Sequence, residues 1–309
     1  MANELAKMSP SDKFTDLVER EIKGNKPDFP ITDAQRQKIK GYFIAMDNAQ
    51  RMAEASRKSG EAINWNSIVL DNKLAQDLYV CSQIGFDMAL PNMLFPVLRW
   101  DSKAKKYRFT IQKGYMGKVF EAMKYAVGHI LSVSAELVYS TDKFIPHFKD
   151  ANHPVETYEL EITNPFGRGE IVGGFAYIEY EEKAQNKLVI MSKEQIDKRR
   201  KVAKSQMFWG NWYEEMAKKT VYIAACKAIP LDPLKMDAVY RQSQAMEEST
   251  GDVEAGNKLV ESQADGEVVD VQQLPEAQPV MEAPTMAAMP QPEPVSAKQA
   301  EAEPDWMEP

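Results

Sequence analysis

The chain has 309 residues and a formal net charge of −8, and 44% of its residues are hydrophobic. It has no run of about 18 apolar residues, which excludes a membrane-spanning helix, and its first residues lack the apolar core of a secretion signal. The two cysteines, Cys81 and Cys226, lie far apart in apolar stretches. We therefore expect buried thiols in a reducing cytoplasm rather than a disulfide or a metal pair.

The charge is unevenly distributed along the chain. Residues 242–309 hold fifteen acidic and two basic residues, a net charge of −13, whereas residues 1–241 have a net charge of +5. A basic body favours an anionic partner. Residues 242–309 also hold eight of the eighteen prolines and a single aromatic residue, Trp306, so we predict a disordered tail. Its end, EPDWMEP, is either a solvated terminus or a short docking peptide for a partner protein.

The first ninety residues show helical periodicity. Ser11 or Asp12 can cap a helix over residues 9–24, and the capping box Thr32-x-x-Gln35 opens a second helix that ends at Gly60. A third helix is predicted over residues 66–86. Together these helices predict a helical layer at the start of the fold.

The hydrophobic period changes to strict alternation after this layer. Strands are predicted at 94–100 and 106–113, followed by a helix at 114–126, and further strands at 130–139, 155–162, 170–181 and 187–191. Two helices, 192–206 and 208–229, close the body. Because nothing alternates as β-α-β, this order predicts an α+β fold with a helical N-terminal layer, an antiparallel β-meander and packed helices.

The segment 102–118 is strongly basic, with six Lys or Arg residues and no acid. Its strand should turn one apolar face to the core and present Lys106, Arg108, Thr110 and Gln112 to solvent or to a ligand. Lys103 and Lys105 join Lys106 at the hairpin turn. Lys113 and Lys118 flank Gly114-Tyr115-Met116-Gly117, where the glycines let the backbone approach a neighbour and Tyr115 starts a helix.

A second basic segment is the helix predicted at 192–206. After the capping box Ser192-x-x-Gln195, Lys193, Arg200 and Lys204 fall within about 40° of one another on the helix. Such a polar helix is either a solvated surface or a surface that meets phosphates.

The next predicted helix, 208–229, carries a stripe of aromatic and apolar residues. Trp209, Trp212, Tyr213, Met216, Thr220 and Ile223 lie within an arc of roughly 100°, which predicts a face packed into the core. Phe208 and Lys219 lie on its flank, and Lys218 lies opposite. A platform on which nucleic-acid bases stack would have to come from that flank. We expect the two basic segments to meet in one continuous cationic groove for an extended nucleic-acid strand.

Three blocks of sequence resemble the RecT family of phage single-strand annealing recombinases. They are CSQIGFDMALPNMLFPV (81–97), IQKGYMGKVFEAMKYAVG (111–128), and the stretch from MSKEQIDKRR to WYEEMAKKTVYIAACKAIP (191–230). The resemblance implies a protein that binds single-stranded DNA and anneals complementary strands in homologous recombination of phage DNA without ATP or another cofactor. It also implies a homo-oligomer, a ring or a filament, in the cytoplasm of a bacterial host. A phage exonuclease or a host single-strand-binding protein is the expected partner.

The resemblance divides the chain into a helical region for subunit contacts (1–60), a DNA-binding annealing core (61–241) and the acidic tail (242–309). It assigns DNA contacts to Tyr115 of the GYxG block, to the basic helix and to the two lysines of the MAKKT block. The chain departs from its relatives at Met116 and at Tyr222-Ile223-Ala224, and Lys227 remains nearby. The full predicted set is Lys103, Lys105, Lys106, Arg108, Lys113, Tyr115, Lys118, Lys193, Arg199, Arg200, Lys201, Lys204, Phe208, Lys218, Lys219 and Lys227.

Two other functions are compatible with the sequence. Glu181-Glu182-Lys183, with Glu159 and Glu161 on a neighbouring strand, has the residue types of a metal-dependent nuclease site. A passive coat on single-stranded DNA would need the same basic surface without annealing. The three histidines show no zinc-site spacing and no Walker loop is present, so we expect neither a metal site nor an enzyme.

Overall fold

The computed structural model of the protein describes residues 9–25, 31–151, 153–203 and 206–249, which all belong to one compact unit. Within these ranges the chain forms eight α-helices and eight β-strands, and the strands make small sheets with mainly antiparallel pairing. The predicted α+β class is therefore confirmed. No helix in the described ranges has the length and apolar character needed to span a membrane. Lys204 and the tail from residue 250 onward, including EPDWMEP, lie outside the described residues.

The N-terminal layer contains helices α1 (Pro10–Asn25), α2 (Asp33–Ser56) and α3 (Asn72–Ile84). The predicted capping box at α2 is present, because the Thr32 hydroxyl accepts from the Gln35 amide and the Gln35 side chain accepts from the Thr32 amide. The prediction for α3 was wrong in its first six residues. Asn64 caps a short 3-10 turn, and strand β1 (Ile68–Val69) follows before α3 begins.

Strands β2 (Leu94–Asp101) and β3 (Lys106–Lys113) form the predicted hairpin, and β1 pairs in parallel with β3. The apolar face of this sheet packs against α1, α2 and α3, and we call the result the helical core. Its members from the hairpin include Leu98, Phe109 and Ile111.

The expected alternation fails at the end of β3, where Gln112 is only 4% exposed instead of facing solvent. The chain turns into helix α4 (Tyr115–Tyr125) immediately after this strand. Helix α8 (Ala238–Ser249) also contacts β3. Lys113, on the opposite face, is also buried, between Glu121 of α4 and Glu247 of α8, so both faces of β3 are enclosed at an end where the strand pattern alone predicts one solvated face.

A second core, which we call the sheet core, is built on strands β4 (Ile130–Tyr139), β7 (Ile171–Tyr180) and β8 (Lys187–Ser192) in the antiparallel order β4-β7-β8. Helix α7 (Tyr213–Ala228) contacts all three strands, and its small residues Ala217 and Ala225 are fully buried. Strands β5 (Lys143–His147) and β6 (Thr157–Glu161) form a hairpin that packs on β7 through Phe144 and Tyr158, which contact Phe175.

The two helices predicted at 192–206 and 208–229 are three helices in the structure. They are α5 (Lys193–Lys201), α6 (Gln206–Asn211) and α7. Trp212 lies between α6 and α7 with φ −132° and ψ 52°, and the poor helix former Gly210 precedes it. The predicted continuous stripe is therefore broken: Trp209 is buried against the sheet core, whereas Trp212 is largely exposed.

Helix α8 was missed in the sequence, and the predicted start of the disordered tail at residue 242 falls inside it. Met246 of α8 is buried in the helical core, and Tyr240 contacts Tyr125 of α4 with ring centroids 4.7 Å apart. Residues 242–249 therefore form part of the folded body, because their apolar side chains find partners that acidic composition does not reveal.

Candidate nucleic-acid interface

The tip of the β2–β3 hairpin carries three exposed lysines, Lys103, Lys105 and Lys106, and none of them has an ion-pair partner among the described residues. The Asp101 carboxylate fixes this turn by accepting from the backbone amides of Lys103 at 2.9 Å and Ala104 at 3.1 Å. Lys105 has φ 49°, in the left-handed region. This conformation costs a side-chain-bearing residue about 1–2 kcal/mol, so the turn carries a lysine where glycine would be less strained.

An aromatic pair lies directly beside these lysines. Trp100 and Tyr107 are cross-strand partners with ring centroids 5.0 Å apart in an edge arrangement, and Trp100 is 44% exposed. An exposed indole next to lysines can stack with a nucleic-acid base while the ammonium groups neutralise phosphates. Trp100 is not among the residues predicted from the sequence, although a tryptophan near the end of a strand that leads into a basic turn is a usable signal.

Arg108 forms ion pairs with other residues of the protein. Its guanidinium pairs with Asp71, the residue that caps α3, and with Asp101, which lies 3.2 Å from the Arg108 Nε atom. Two carboxylates therefore balance its charge. The contact ties the hairpin to α3, which favours a structural role over a phosphate contact.

The GYxG block joins the hairpin to α4. A Cβ atom on Gly114 would lie 2.1 Å from the Asn92 carbonyl oxygen, and one on Gly117 would lie 2.3 Å from the Met93 carbonyl oxygen. The glycines are therefore required for packing against the segment before β2. Tyr115 is half-buried and stacks on Tyr222 of α7, with ring centroids 5.3 Å apart.

Lys113 and Lys118 take part in an ionic network with α8. Lys113 is 1% exposed, and its Nζ atom lies 2.8 Å from Glu121 and 2.9 Å from Glu247. Lys118 pairs with the same Glu247, and the Ser243 hydroxyl donates to Glu121 at 2.6 Å. Burial lowers the pKa of Lys113, but the two carboxylates outweigh it and hold that pKa above the usual value. Lys113 therefore lies in the interior, away from any bound polymer.

Helix α5 presents a second cationic surface. The Arg200 guanidinium lies over the Tyr213 ring, 5.6 Å from its centroid, and Lys201 is exposed. Arg199 points to α7, where its guanidinium donates to the Thr220 carbonyl at 3.2 Å. Lys193 lies 3.9 Å from Glu170.

The remaining predicted residues lie on α6 and α7. Phe208 is 7% exposed and thus belongs to the interior, which does not favour a base platform at that ring. Lys218 pairs with Glu136 of β4 at 3.1 Å. Lys219 is half-buried, and Lys227 is exposed near the end of α7.

The two cationic surfaces belong to different cores. The hairpin packs in the helical core and α5 to α7 pack on the sheet core, while α4 contacts both β3 and α7. The hairpin tip lies about 24 Å from Lys113 along β3, since each strand residue adds about 3.4 Å. The structure brings Tyr115 to α7, and it places the tip lysines at the far end of the hairpin.

The acidic residues considered for a nuclease site lie in separate surface pairs. Glu159 contacts His147 at 3.2 Å and Glu161 contacts Lys143 at 3.7 Å. Glu181 contacts His129 at 3.3 Å. In the part of the chain that the structure describes, no three His, Cys, Asp or Glu residues are grouped so that they could hold a metal ion.

The two cysteines are free thiols. Cys81 is buried and Cys226 is half-buried. Burial raises the pKa of both, to about 11 for Cys226, so neither has the character of a reactive thiolate.

The fold and these surfaces define an α+β protein with an exposed lysine-rich hairpin and a cationic helix on a separate core. The family model described as the RecT family matches residues 53–255, about two-thirds of the chain, and the chain belongs to the RecT family. The resemblance stated from the sequence is thereby confirmed, and all three blocks that carried it lie within the match. Membership makes this a single-strand annealing protein of DNA recombination. No curated protein matches the chain.

Proposed function

We propose that this protein binds single-stranded DNA along its exposed cationic surfaces and anneals complementary strands of phage DNA without ATP. The observation that carries the proposal is the hairpin tip, where three exposed lysines lie at the turn that follows the exposed Trp100. Lysines at this density neutralise consecutive phosphates, and an indole face stacks with any base, so the surface favours a strand without regard to its sequence. Family membership supports annealing as the outcome of this binding.

The proposed mechanism uses binding energy alone. One strand lies on the hairpin tip of one copy and on the α5 surface, with Arg200 and Lys201 at its phosphates and most of its bases accessible. Further copies in a homo-oligomer continue the surface and keep the strand extended. A second strand then pairs by base complementarity, which supplies both the specificity and the free energy. Nucleotide hydrolysis is unnecessary, in agreement with a sequence that contains no Walker loop.

Replacing all three tip lysines by alanine, in Lys103→Ala with Lys105→Ala and Lys106→Ala, tests the proposal. The slope of log K against log salt for a labelled oligonucleotide should become shallower by about 2, because each lost phosphate contact on a single strand removes about 0.7. Alanine at Lys143, Lys149 and Lys183 is the matched control. It removes the same charge from exposed positions near the β5–β6 hairpin and should leave the slope unchanged. Equal slopes for the two triple variants would rule out the hairpin tip as the binding surface.

Annealing is separated from passive coating and from nuclease activity by a two-strand assay. Complementary labelled oligonucleotides are added in succession to the protein in EDTA without ATP, and duplex formation is followed by energy transfer. The proposal requires duplex formation well above the spontaneous rate. A coat protein would bind both strands and slow their pairing, and a nuclease would shorten the strands only after Mg²⁺ is added.

A further inference from the structure

One face of the β2–β3 hairpin carries polar side chains that lack partners. The register places Phe95 opposite Gln112, Val97 opposite Thr110, and Arg99 opposite Arg108 on this face. Both atoms of the Gln112 carboxamide and one terminal nitrogen of Arg99 are buried without a hydrogen bond in the described part of the chain. Natural proteins pair the great majority of such atoms, and each exception calls for an explanation.

The two arginines on this face have opposite environments although they are direct cross-strand neighbours. Arg108 takes both nearby carboxylates, Asp71 and Asp101, whereas Arg99 makes no ion pair within the described ranges. Burial lowers the pKa of Arg99, as expected for a cation that is partly desolvated without compensation. An arginine in this state gains more from an incoming anion than a solvated lysine does, because part of its dehydration has already occurred.

Gln112 presents both a free donor and a free acceptor beside an aromatic ring. A carboxamide in this state is complementary to a chemical group that itself offers a donor and an acceptor side by side, as the edge of a nucleobase does. Phe95, its cross-strand partner, is half-buried and is held against Gly114, where a Cβ would lie 2.8 Å from the ring. Val97 and Thr110 lie on the same face between the Phe95–Gln112 pair and Arg99. Phe95 and Arg99 are about 13 Å apart along the strand.

We propose that this face of the hairpin is a nucleotide subsite for the bound DNA strand, in which Arg99 binds a phosphate and Gln112 binds the edge of a base that stacks on Phe95. The inference rests on the proposed single-strand binding. These atoms of Gln112 and Arg99 are buried, so a nucleotide reaches them by displacing the side chains packed over this face. No hydrogen bond to these atoms is lost in that step, because none exists among the described residues.

The test uses Gln112→Met, which keeps the volume of the side chain and removes both unpartnered atoms. If the carboxamide serves ligand binding, the variant should be more stable and bind less well. We expect the melting temperature to rise by roughly 2–4 °C, since an unsatisfied buried amide is replaced by an apolar group. Affinity for a labelled oligonucleotide should fall by about 2–10-fold, the range of one lost hydrogen-bonded contact.

Gln50→Met is the matched control. Gln50 is also a buried glutamine, but its amide donates to the Ile63 carbonyl. Its replacement should lower the melting temperature and leave the affinity for the oligonucleotide unchanged. If Gln112→Met also lowered the melting temperature, Gln112 would be a structural residue bonded through water, and the subsite would be rejected.

An oligonucleotide with abasic sites separates the two contacts. On this probe Gln112→Met and the unaltered protein should bind equally, because the base edge is missing. Arg99→Met should still make the salt dependence shallower by about 0.7 on this probe, since the unaltered protein keeps the contact between Arg99 and a phosphate there.

If the unaltered protein binds normal DNA and Gln112→Met binds it equally well, the subsite is refuted while the proposed function stands. If the unaltered protein binds no single-stranded DNA, the proposed function fails and the subsite with it.

Discussion

Helix α8 is the clearest place to test the structure, because the sequence assigns most of it to a disordered tail. Two truncated proteins make the comparison, one ending after Arg241 and one ending after Ser249. The shorter protein loses most of α8, including buried Ser243 and Met246 and the Glu247 carboxylate that contacts Lys113 and Lys118. The longer protein keeps all of these contacts and loses only residues 250–309.

The expected cost of the shorter truncation follows from two losses. Exposing the site filled by Met246 removes about 1.5–3 kcal/mol of apolar burial. Lys113 keeps Glu121 but loses Glu247 and Ser243, and leaving a buried charge short of partners costs about 3–5 kcal/mol when the pair is broken outright. Since Glu121 remains, we expect a total of about 3–6 kcal/mol, a large part of the roughly 5–15 kcal/mol that stabilises a typical domain.

Urea denaturation followed by circular dichroism measures this difference. The protein ending after Ser249 should have the same midpoint as the full chain, and the protein ending after Arg241 should have a much lower one. Single-strand binding should be kept or tightened in the longer protein, because residues 250–309 carry a net charge of −11 that repels DNA. Equal midpoints for the two truncations would show that α8 does not belong to the folded body, and the network around Lys113 would then be incorrect.

Three further predictions concern charged side chains. Lys113→Met should lower the free energy of unfolding by about 3–5 kcal/mol, whereas Lys106→Met on the same strand should leave it unchanged and weaken DNA binding; equal stability of the two variants would contradict the burial of Lys113. Arg200→Glu with Lys201→Glu should abolish annealing at an unchanged melting temperature, and the same double reversal at Lys149 and Lys183, two exposed positions away from α5, should anneal normally; loss in both variants would mean a general charge effect rather than a specific surface. Burial raises the pKa of Glu247, but Lys113 and Lys118 outweigh it and hold that pKa below the usual value, and the pKa of Lys113 is raised. Stability from Glu247 should therefore be present above its unfolded pKa and lost as the pH falls through the lower folded value, and stability from Lys113 should be lost only as the pH rises through its raised folded value. In Glu247→Gln, the free energy of unfolding should therefore fall less steeply as the pH is lowered. An unchanged fall would show that Glu247 does not belong to the ionic network around Lys113.

The sequence predicted elements well where local signals were complete. Strand β3 runs over 106–113 and β4 over 130–139, as expected from their alternation and bounding turns. Both capping boxes form, at Thr32 and at Ser192, because each needs only a backbone amide and a side chain three residues away. Strand β5 was missed, since Pro146 lies within it and a proline lowers the strand signal.

Elements that depend on distant partners could not be predicted in this way. Glu247 and Glu248 counted as part of an acidic tail, although Glu247 meets Lys113, a residue 134 positions earlier in the chain. The apolar stripe predicted for 208–229 assumed one continuous helix. In the structure the helix is interrupted at Trp212, so the residues before it belong to α6 rather than to α7. In both cases the missing information is tertiary, because composition and periodicity report only on neighbours in sequence.

In the candidate site, the sequence predicts the charge of each segment but not which of its lysines are exposed. Lys106 and Lys113 lie seven residues apart on one strand and have equal charge, but Lys106 is exposed at the tip and Lys113 lies between two carboxylates. A basic stretch predicts how much positive charge a segment carries, whereas the position of each acid decides how much of that charge remains for a ligand. Arg108, Lys113, Lys118 and Lys218 are paired with acids of the protein, so among the predicted residues that the structure describes the unpaired positive charge is concentrated at the hairpin tip and on α5.

This concentration changes the groove expected from the sequence. A uniform line of cations would hold every phosphate of a strand equally, and the second strand would have to compete with the protein along its whole length. If both surfaces bind the same strand, as proposed, they hold it at separate points and leave most of the bases between those points free to pair. Under the proposed function, such spacing favours annealing over coating, because the first base pairs of an incoming strand can form in the segment between the surfaces without displacing a lysine from a phosphate.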